Sequence, residues 1–246
     1  MDTVKINKGK TQMIAHRGLS ALELENTCAA FVAAGNRSYF GIETDVHVTA
    51  DGRFIIIHDD STSRVSDADL SVEDTAFETL RGLHLKEKDG SCRRDLVLPS
   101  LEEYLWVCRR YEKEAVLELK NPMERQKVHE IVDICEKEYG LEHLTFISFD
   151  FQNLKHVKET APKAKAQFLA EEALSREQIL AMKENEISLD IYSKVLTKEM
   201  IDEFHAMGMV VNCWTVNNPE EAQMLAAWAE RCIWYICCNS TFYGMA

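Results

Sequence analysis

The sequence predicts a (β/α)8 barrel, that is, a TIM barrel, and three observations support this fold class. Short apolar runs alternate with longer amphipathic stretches along most of the 246 residues, which calls for a parallel sheet covered by helices. Nine apolar runs occur, one more than a barrel needs, and the Asp51-Gly52 turn makes the third run a hairpin strand antiparallel to the second. No glycine-rich phosphate fingerprint follows the first run, which disfavours an open doubly wound sheet.

The individual elements follow from local patterns. Strands are expected at 11–17, 41–49, 54–59, 115–120, 144–149, 165–170, 188–192, 209–216 and 233–238. Helices are expected at 26–36, 100–113, 123–140, 151–161, 175–185, 197–208 and 218–230. Pro99 is expected in the first turn of the second helix, where its missing N–H is no loss. Gly140 is expected to cap the third helix.

Residues 60–98 interrupt this alternation. They are polar and charged and carry no long periodic run, so they predict a small insertion of short elements after the second strand. The chain length suits one barrel. We therefore expect a single TIM-barrel domain over 1–246 that contains the insertion 60–98.

The charge balance excludes two classes of partner. The chain has 28 basic and 41 acidic residues, a net charge of −13, and such a surface repels nucleic-acid phosphates and anionic lipid headgroups. We expect neither nucleic-acid binding nor membrane insertion. A phosphorylated small substrate would need a local positive centre from Arg, Lys or a metal ion.

Cysteine usage and the N-terminus indicate a cytoplasmic protein. None of the eight cysteines forms a CxxC pair, and most lie in apolar runs, as buried thiols do in a reducing compartment. The stretch MDTVKINKGKTQ has no apolar core of a signal peptide. No run approaches the ~20 apolar residues of a membrane span. The oligomeric state stays open.

Polar and aromatic residues recur where the predicted strands end, which is where the active site of a barrel lies. These residues are His16 and Arg17, Glu43 and Asp45, His58 and Asp59, Glu118 and Lys120, Ser148 and Phe149, and Trp214. Packing alone does not explain this recurrence, so we expect a catalytic site at this edge.

Two pairs of these residues predict a metal site. Glu43 and Asp45 are two apart on a strand and therefore share a face, and so do Glu118 and Lys120. Three converging buried carboxylates repel one another unless they are neutralised. A divalent cation can do this, and an all-oxygen site suits Mg²⁺ or Ca²⁺. The alternative is an ion network with Arg17 and Lys120.

The two histidines at strand ends, His16 and His58, are interpreted as an acid/base pair beside this metal site. Trp214 at the mouth is either a core residue or a wall against the substrate. No GxSxG elbow and no helix with two histidine ligands is present, which disfavours serine-hydrolase and zinc-protease chemistry.

Taken together, the motifs resemble those of the glycerophosphodiester phosphodiesterases. The matching stretches, in family order, are AHRG (15–18), ENT (25–27), ETDVHVTADG (43–52), IIHD (56–59), LPSLEEYL (98–105), LELK (117–120), SF (148–149) and WTVNN (214–218). The family is a (β/α)8 barrel with an insertion after the second strand.

The resemblance implies metal-dependent hydrolysis of a small-molecule glycerophosphodiester to glycerol 3-phosphate and an alcohol. By residue, it implies that Glu43, Asp45 and Glu118 hold one divalent cation, Mg²⁺ or Ca²⁺, that His16 and His58 are the general acid and base, that Arg17 and Lys120 contact the phosphate, and that Phe149 and Trp214 line the glycerol or leaving-group side.

The chain departs from the family at two places. Leu24 replaces the usual proline before ENT, which affects a loop. The last strand carries Trp234-Tyr235 and Cys238-Asn239 where the family has an Asp-Gly pair and a Thr-Asp or Thr-Asn end. We expect this second change to reshape the pocket between the last and first strands.

Three other functions stay open. A phospholipase of this barrel type would present apolar loops, whereas the insertion is polar. A lyase would release a cyclic phosphate as its final product. A non-catalytic phosphate-binding module is disfavoured by the intact histidines and carboxylates. The nucleophile, water or the glycerol 2-hydroxyl, is likewise open.

Overall fold

The computed structural model describes residues 9–87, 89–228 and 234–238, the last without the side chains of 234–237. The strands are β1 Gln12–Ala15, β2 Gly41–Val48, β3 Phe54–Ile56, β4 Glu114–Leu119, β5 Leu144–Ser148, β6 Lys165–Ala170, β7 Ser188–Tyr192, β8 Val211–Trp214 and β9 Trp234–Cys238. The helices are α1 Cys28–Gly35, α2 Phe77–Arg81, α3 Leu101–Tyr111, α4 Arg125–Glu138, α5 Phe151–Thr160, α6 Arg176–Glu184, α7 Lys198–Ala206 and α8 Pro219–Trp228. A short 3-10 helix, Leu141–His143, precedes β5.

Eight parallel strands close into a barrel, in the order β1-β2-β4-β5-β6-β7-β8-β9, with β9 pairing back to β1. β3 is the surplus strand, and it pairs antiparallel to β2 after the Asp51-Gly52 turn. The predicted fold class, a TIM barrel with an insertion after its second strand, is confirmed. Among the described residues, no helix combines the length and apolar character needed to cross a bilayer.

Side-chain caps explain where several helices begin. Thr27, Asp150 and Thr197 each accept a hydrogen bond from a backbone N–H in the first turn of the helix that follows, which satisfies a donor that has no intrahelical partner. Ser100 and Glu103 form a reciprocal capping box at the start of α3. Pro99 therefore lies before the cap and outside the helix, so its predicted place in the first turn is wrong.

The ends of several elements differ from the sequence prediction. β1 ends at Ala15 and β3 at Ile56, because the chain turns away from the sheet there. His16-Arg17 and His58-Asp59 therefore lie in the loops that follow these strands. Gly140 comes after the C-cap of α4, Tyr139, and has a φ of +97°. Asn239, the predicted end of the last helix at 229–230 and the predicted first residue of the last strand at 233 lie outside the described residues.

The core has three parts. The largest fills the space between the barrel and its helices. A second cluster gives the insertion an apolar interior of its own, including Val65, Val72, Phe77, Leu80 and Leu85. In the third, Ile14, Val116, Ile147 and Leu169 fill the centre of the barrel. Ile147 and Leu169 also line the cavity above, so the site rests on a packed apolar base.

Candidate active site

A cavity opens at the C-terminal ends of the barrel strands. Its lining comes from β2, β4, β5, β6, β7 and β8 and from the loops after β1, β3, β5 and β8. The lining residues are His16, Arg17, Glu43, His58, Glu118, Ile147, Phe149, Leu169, Asp190, Trp214 and Thr215. Asp45 lies buried behind this surface, and Lys120 lines an adjoining groove that shares Glu118 and Phe149 with the cavity. Seven of the nine predicted site residues thus line one cavity, and the other two lie against it.

The three predicted metal ligands meet on one side of this cavity. Glu43 and Asp45 face inward from β2, and Asp45 is in register with Glu118 on β4. One oxygen atom of each of the three carboxylates lies within 4.8 Å of the others. Their exposed fractions are 2%, 1% and 7%, so bulk water contributes little to their solvation.

The electrostatics of this triad are unbalanced. Burial raises the pKa of Glu43 well above its usual value, and repulsion from Asp45 and Glu118 adds to this effect. Burial, together with repulsion from Asp45, raises the pKa of Glu118 to about 8. Burial also works against ionisation of Asp45, but Lys120 and Arg17 outweigh it and leave the pKa of Asp45 below its usual value. The protein thus favours the ionised form of Asp45 and disfavours ionisation of Glu43 and Glu118.

The ion network that competes with a metal is present but incomplete. Lys120 Nζ lies 2.8 Å from Glu118 Oε1 and 3.7 Å from Asp45 Oδ1, and Arg17 Nε lies 3.6 Å from Asp45 Oδ2. Two cationic side chains therefore face three carboxylates. Among the described residues, Asp45 Oδ1 is buried without a hydrogen-bond partner. A buried carboxylate oxygen that receives no hydrogen bond, in an all-oxygen cluster, fits a hard divalent cation, and the triad can hold one.

Backbone geometry explains the sequence His-Arg-Gly after β1. Arg17 has a φ of +55°, which costs a non-glycine residue roughly 1–2 kcal/mol. Its N–H donates to Glu43 Oε2 at 2.8 Å, and its C=O accepts from the Asn26 N–H at 3.0 Å, which offsets the strain. Gly18 has a φ of +74°, and a Cβ there would lie 2.7 Å from the Ala30 carbonyl carbon. This turn therefore requires glycine and points Arg17 at the carboxylates.

His58 is held in place by a chain of charged contacts. Its Nδ1 lies 2.7 Å from Asp59 Oδ1. Arg64, from the insertion, donates two hydrogen bonds to Asp59 and two more to Glu25. Glu25 also accepts from Arg17 at 3.0 Å. Burial lowers the pKa of His58, although Asp45 opposes this, so the neutral imidazole is favoured.

His16, the second predicted catalytic histidine, lies close to Glu43 of the triad. Its Nε2 lies 3.9 Å from Glu43 Oε2, and its side chain is 15% exposed. The two predicted catalytic histidines therefore both border the carboxylate cluster and the cavity. We call the side of the site carried by β1, β2 and β4 the charged wall. It consists of His16, Arg17, Glu43, Asp45, Glu118 and Lys120.

The opposite side is apolar. Trp214 packs edge-on against Phe149, with ring centroids 5.8 Å apart, and tilts against Tyr192 at 5.6 Å. Phe149 remains 45% exposed. We call this side, whose apolar side chains are Ile147, Phe149, Leu169 and Trp214, the apolar wall. Trp214 thus forms a wall of the cavity, although its Nε1 is buried without a hydrogen-bond partner among the described residues.

Several residues of the site were missed in the sequence. Asn26 donates to Asp45 Oδ2 at 2.7 Å and accepts from Thr44 at 2.8 Å, so it orients a predicted metal ligand. Asp190 is a carboxyl group within the apolar wall, where Asn212 donates to it. Asp190 and Asn212 could have been noticed as an acidic residue and an amide residue inside the apolar strands SLDIY and VVNCW. Nothing in the sequence pointed to Arg64.

The chain is similar in sequence to proteins of one known family. Residues 16–235 match the Glycerophosphoryl diester phosphodiesterase family. The chain is 29% identical over 218 residues to the glycerophosphodiester phosphodiesterase of Caldanaerobacter subterraneus subsp. tengcongensis, covering 88% of this chain and 90% of that protein. It is 27% identical over 219 residues to the glycerophosphodiester phosphodiesterase of Bacillus altitudinis, covering 86% and 88%.

A similar fold occurs in a solved structure, that of an Oleispira antarctica phosphodiesterase in complex with the product sn-glycerol-3-phosphate. The TM-score is 0.83 at 24% identity, and the match covers 94% of this chain and 93% of that one. This likeness concerns the fold.

Proposed function

The chain belongs to the glycerophosphoryl diester phosphodiesterase family of hydrolases, and we propose that it hydrolyses glycerophosphodiesters to glycerol 3-phosphate and an alcohol with the help of one divalent cation. The observation that carries this proposal is the meeting of three buried carboxylates with two histidines around one cavity. The product bound to the Oleispira antarctica enzyme supports the choice of substrate.

Glu43, Asp45 and Glu118 would hold the cation, which we propose to be Mg²⁺ or Ca²⁺ because all three ligands are hard oxygen donors. Such an ion supplies positive charge for the phosphate oxygens and stabilises the charge that builds up in the transition state. Asn26 would keep Asp45 in place by its 2.7 Å hydrogen bond. In the absence of the ion, protons on Glu43 and Glu118 would relieve the repulsion instead.

Arg17 and Lys120 would bind the phosphate. Both cations already lie within 4 Å of the carboxylates, and charge-assisted hydrogen bonds strengthen as negative charge grows at the phosphoryl oxygens. This arrangement supplies the local positive centre that the net charge of −13 otherwise lacks. Hydrolysis of a phosphodiester requires a barrier reduction of ~20 kcal/mol, which calls for several such contributions together.

His16 and His58 would transfer protons. One would accept the proton of the nucleophile, and the other would donate a proton to the departing alcohol. Asp59 fixes the orientation and tautomer of His58 by its contact with Nδ1, which leaves Nε2 for the reaction. Phe149 and Trp214 would shield the organic part of the substrate from water.

We include a cytoplasmic location in this proposal. Within the described residues, six cysteines are unpaired: Cys28, Cys92, Cys108, Cys135, Cys213 and Cys238. Unpaired thiols are the norm in a reducing compartment. The expected partner is a small substrate that comes from lipid turnover, with no nucleic acid involved.

The test is a panel of glycerophosphodiesters that differ in their alcohol, each assayed with Mg²⁺ and with Ca²⁺ by enzymatic detection of glycerol 3-phosphate. We expect turnover that stops after treatment with EDTA and returns with one of the two ions. ³¹P NMR of the product mixture identifies a final cyclic phosphate, which would indicate the lyase instead. Tight binding of the diesters without any turnover would contradict the proposal.

A further inference from the structure

Asp190 lies in the apolar wall and is not explained by the chemistry above. It points inward from β7, which lies directly across the barrel from β2 and the carboxylates on it. Its side chain lines the cavity although the residue is only 2% exposed. Oδ2 accepts a hydrogen bond from Asn212 Nδ2 at 2.9 Å. Oδ1 is buried and has no partner among the described residues.

The surroundings of Asp190 favour the neutral acid. Leu169 on β6 is in register with Asp190, and the same side of the cavity carries the apolar side chains of Ile147 and Trp214. Burial raises the pKa of Asp190 to about 8, and the hydrogen bond from Asn212 lowers it only in part. The carboxyl group is therefore mostly protonated near neutral pH, and Oδ1 of this cavity-lining residue has no hydrogen-bond partner among the described residues.

A purely structural role does not account for this arrangement. Leaving a buried polar atom without a partner is unfavourable, and an apolar residue at this position would pack against Leu169 and Ile147 without that penalty. A ligand hydroxyl would satisfy both the O–H and the unpaired oxygen. A ligand ammonium group would require the ionised form, which burial disfavours.

We propose that Asp190, oriented by Asn212, binds a hydroxyl group of the glycerol moiety and thereby selects hydroxylated substrates. This inference rests on the proposed function. With the phosphate at the charged wall, the glycerol moiety would extend across the cavity to the apolar wall. Among the described lining residues on that side, Asp190 is the one with an ionisable side chain. Asp190 is thus a specificity-determining residue rather than a participant in proton transfer.

Equilibrium binding of two phosphate monoesters tests this inference and does not depend on the nucleophile. Both sn-glycerol 3-phosphate and n-propyl phosphate present the same phosphate, but only the first has hydroxyl groups. We expect the wild-type protein, loaded with its divalent ion, to bind glycerol 3-phosphate about tenfold more tightly than n-propyl phosphate, as the hydrogen bonding of one hydroxyl to Asp190 allows. Titration calorimetry or competitive inhibition gives both dissociation constants.

The Asp190→Ala variant should lose most of this preference, to within about threefold, by weakening glycerol 3-phosphate while leaving n-propyl phosphate unchanged. Asp190→Asn keeps a donor and an acceptor and should retain most of the preference. Asp190→Val replaces Asp190→Ala if the latter does not fold. The control, Asp202→Asn, changes an exposed carboxylate paired with Lys198 and should behave as the wild type.

Three results would overturn the inference. One is a wild-type protein that does not distinguish the two esters. Another is an Asp190→Ala variant that loses affinity for both equally. The third concerns phosphoethanolamine, titrated as an additional ligand. If Asp190→Ala loses affinity chiefly for this ligand, the carboxyl group binds an ammonium group instead of a hydroxyl. If the wild type still hydrolyses glycerophosphodiesters in these cases, the proposed function stands and only the inference about Asp190 is rejected. If the wild type does not hydrolyse them, both the proposed function and the inference are rejected.

Discussion

The charged wall and the apolar wall each bury an aspartate, Asp45 and Asp190, and the two surroundings shift the pKa of these side chains in opposite directions. On the charged wall, Asp45 has Lys120 and Arg17 within 4 Å, and its pKa is lowered. On the apolar wall, Asp190 accepts a hydrogen bond from the Asn212 amide and forms no ion pair with a described residue. Burial raises its pKa to about 8. Equal burial thus leaves Asp45 an anion and Asp190 a neutral acid, because only Asp45 has cations from the described residues beside it.

This difference separates two tasks. A wall of anions and cations is suited to a metal ion and a phosphate, because charge must be met by charge. A neutral carboxyl group among apolar side chains is suited to a hydroxyl, which it can bind without an ionic penalty. The barrel brings the two walls face to face because β2 and β7 lie opposite one another in the ring.

Removing a carboxylate from the charged wall should have the largest effect. Asp45→Asn keeps the shape of the side chain but removes a ligand charge, and we expect kcat/KM for a glycerophosphodiester to fall by at least about 10³-fold, since second-shell changes alone cost 10–100-fold. Steady-state kinetics at saturating Mg²⁺ and Ca²⁺ measure this. Asp133→Asn, on the exposed face of α4, is the control. A loss below tenfold would mean that the charged wall does not depend on this ligand.

The histidines come next. His16→Ala and His58→Ala should each lower kcat by ~10²–10⁴-fold, the usual worth of a general acid or base, without changing the amount of bound metal. His143→Ala alters an exposed histidine and should have no effect. Turnover near the wild-type level in either variant would remove that histidine from the mechanism.

Arg64 sharpens the comparison, because it connects the insertion to the charged wall through Asp59 and Glu25. Arg64→Ala should lower kcat by about 10- to 100-fold, as small misplacements of a catalytic group do. If it acts by positioning His58, its effect should vanish in the His58→Ala background. Arg176→Ala breaks an exposed pair with Glu203 and serves as the control. Additive losses in the double variant would exclude a positioning role through His58.

The smallest expected effect is a pH-dependent change in melting temperature on substitution of Asp190, the carboxyl group of the apolar wall. The pKa of Asp190 lies at about 8 in the folded protein against an ordinary 3.8, so the folded state holds a proton that the unfolded state releases. Its contribution to stability therefore falls as pH rises from about 4 to about 8. Asp190→Asn does not titrate, so its melting temperature should exceed that of the wild type by several degrees at pH 8.

At pH 3 this difference should nearly disappear, because both states of the wild type then hold the proton for most of the time. Each kcal/mol corresponds to about 2–4 °C for a chain of this size, which calorimetric scans resolve. A difference between the two proteins that is the same at both pH values would show that Asp190 is ionised in the folded state.

The sequence predicted the barrel and the charged wall for the same physical reason. Strand and helix periodicities are local, and parallel strands bring their C-terminal ends to one edge, so polar residues such as Glu43 and Glu118 must meet there. Their roles as ligands and catalysts remain predictions. The strand ends were predicted too long because His16 and His58 follow turns that only tertiary contacts define.

The apolar wall and the insertion were less accessible to sequence reasoning. A single acidic residue in SLDIY does not reveal that its side chain faces the cavity, nor that Asn212 on the next strand will meet it. Arg64 reaches Glu25 across 39 positions of sequence, in a segment without periodicity. Contacts of that kind depend on the folded insertion, whose apolar interior is spread over short, irregular elements.

The most direct test of the charged wall is titration calorimetry of the chelated protein with Mg²⁺ and Ca²⁺, compared with a variant that combines Glu43→Gln, Asp45→Asn and Glu118→Gln. The wild type should bind one ion per chain, and the variant, still folded by circular dichroism, should bind none at this site. Phosphodiester hydrolysis by chelated, metal-free protein, or undiminished binding of the ion by the triple variant, would contradict this account.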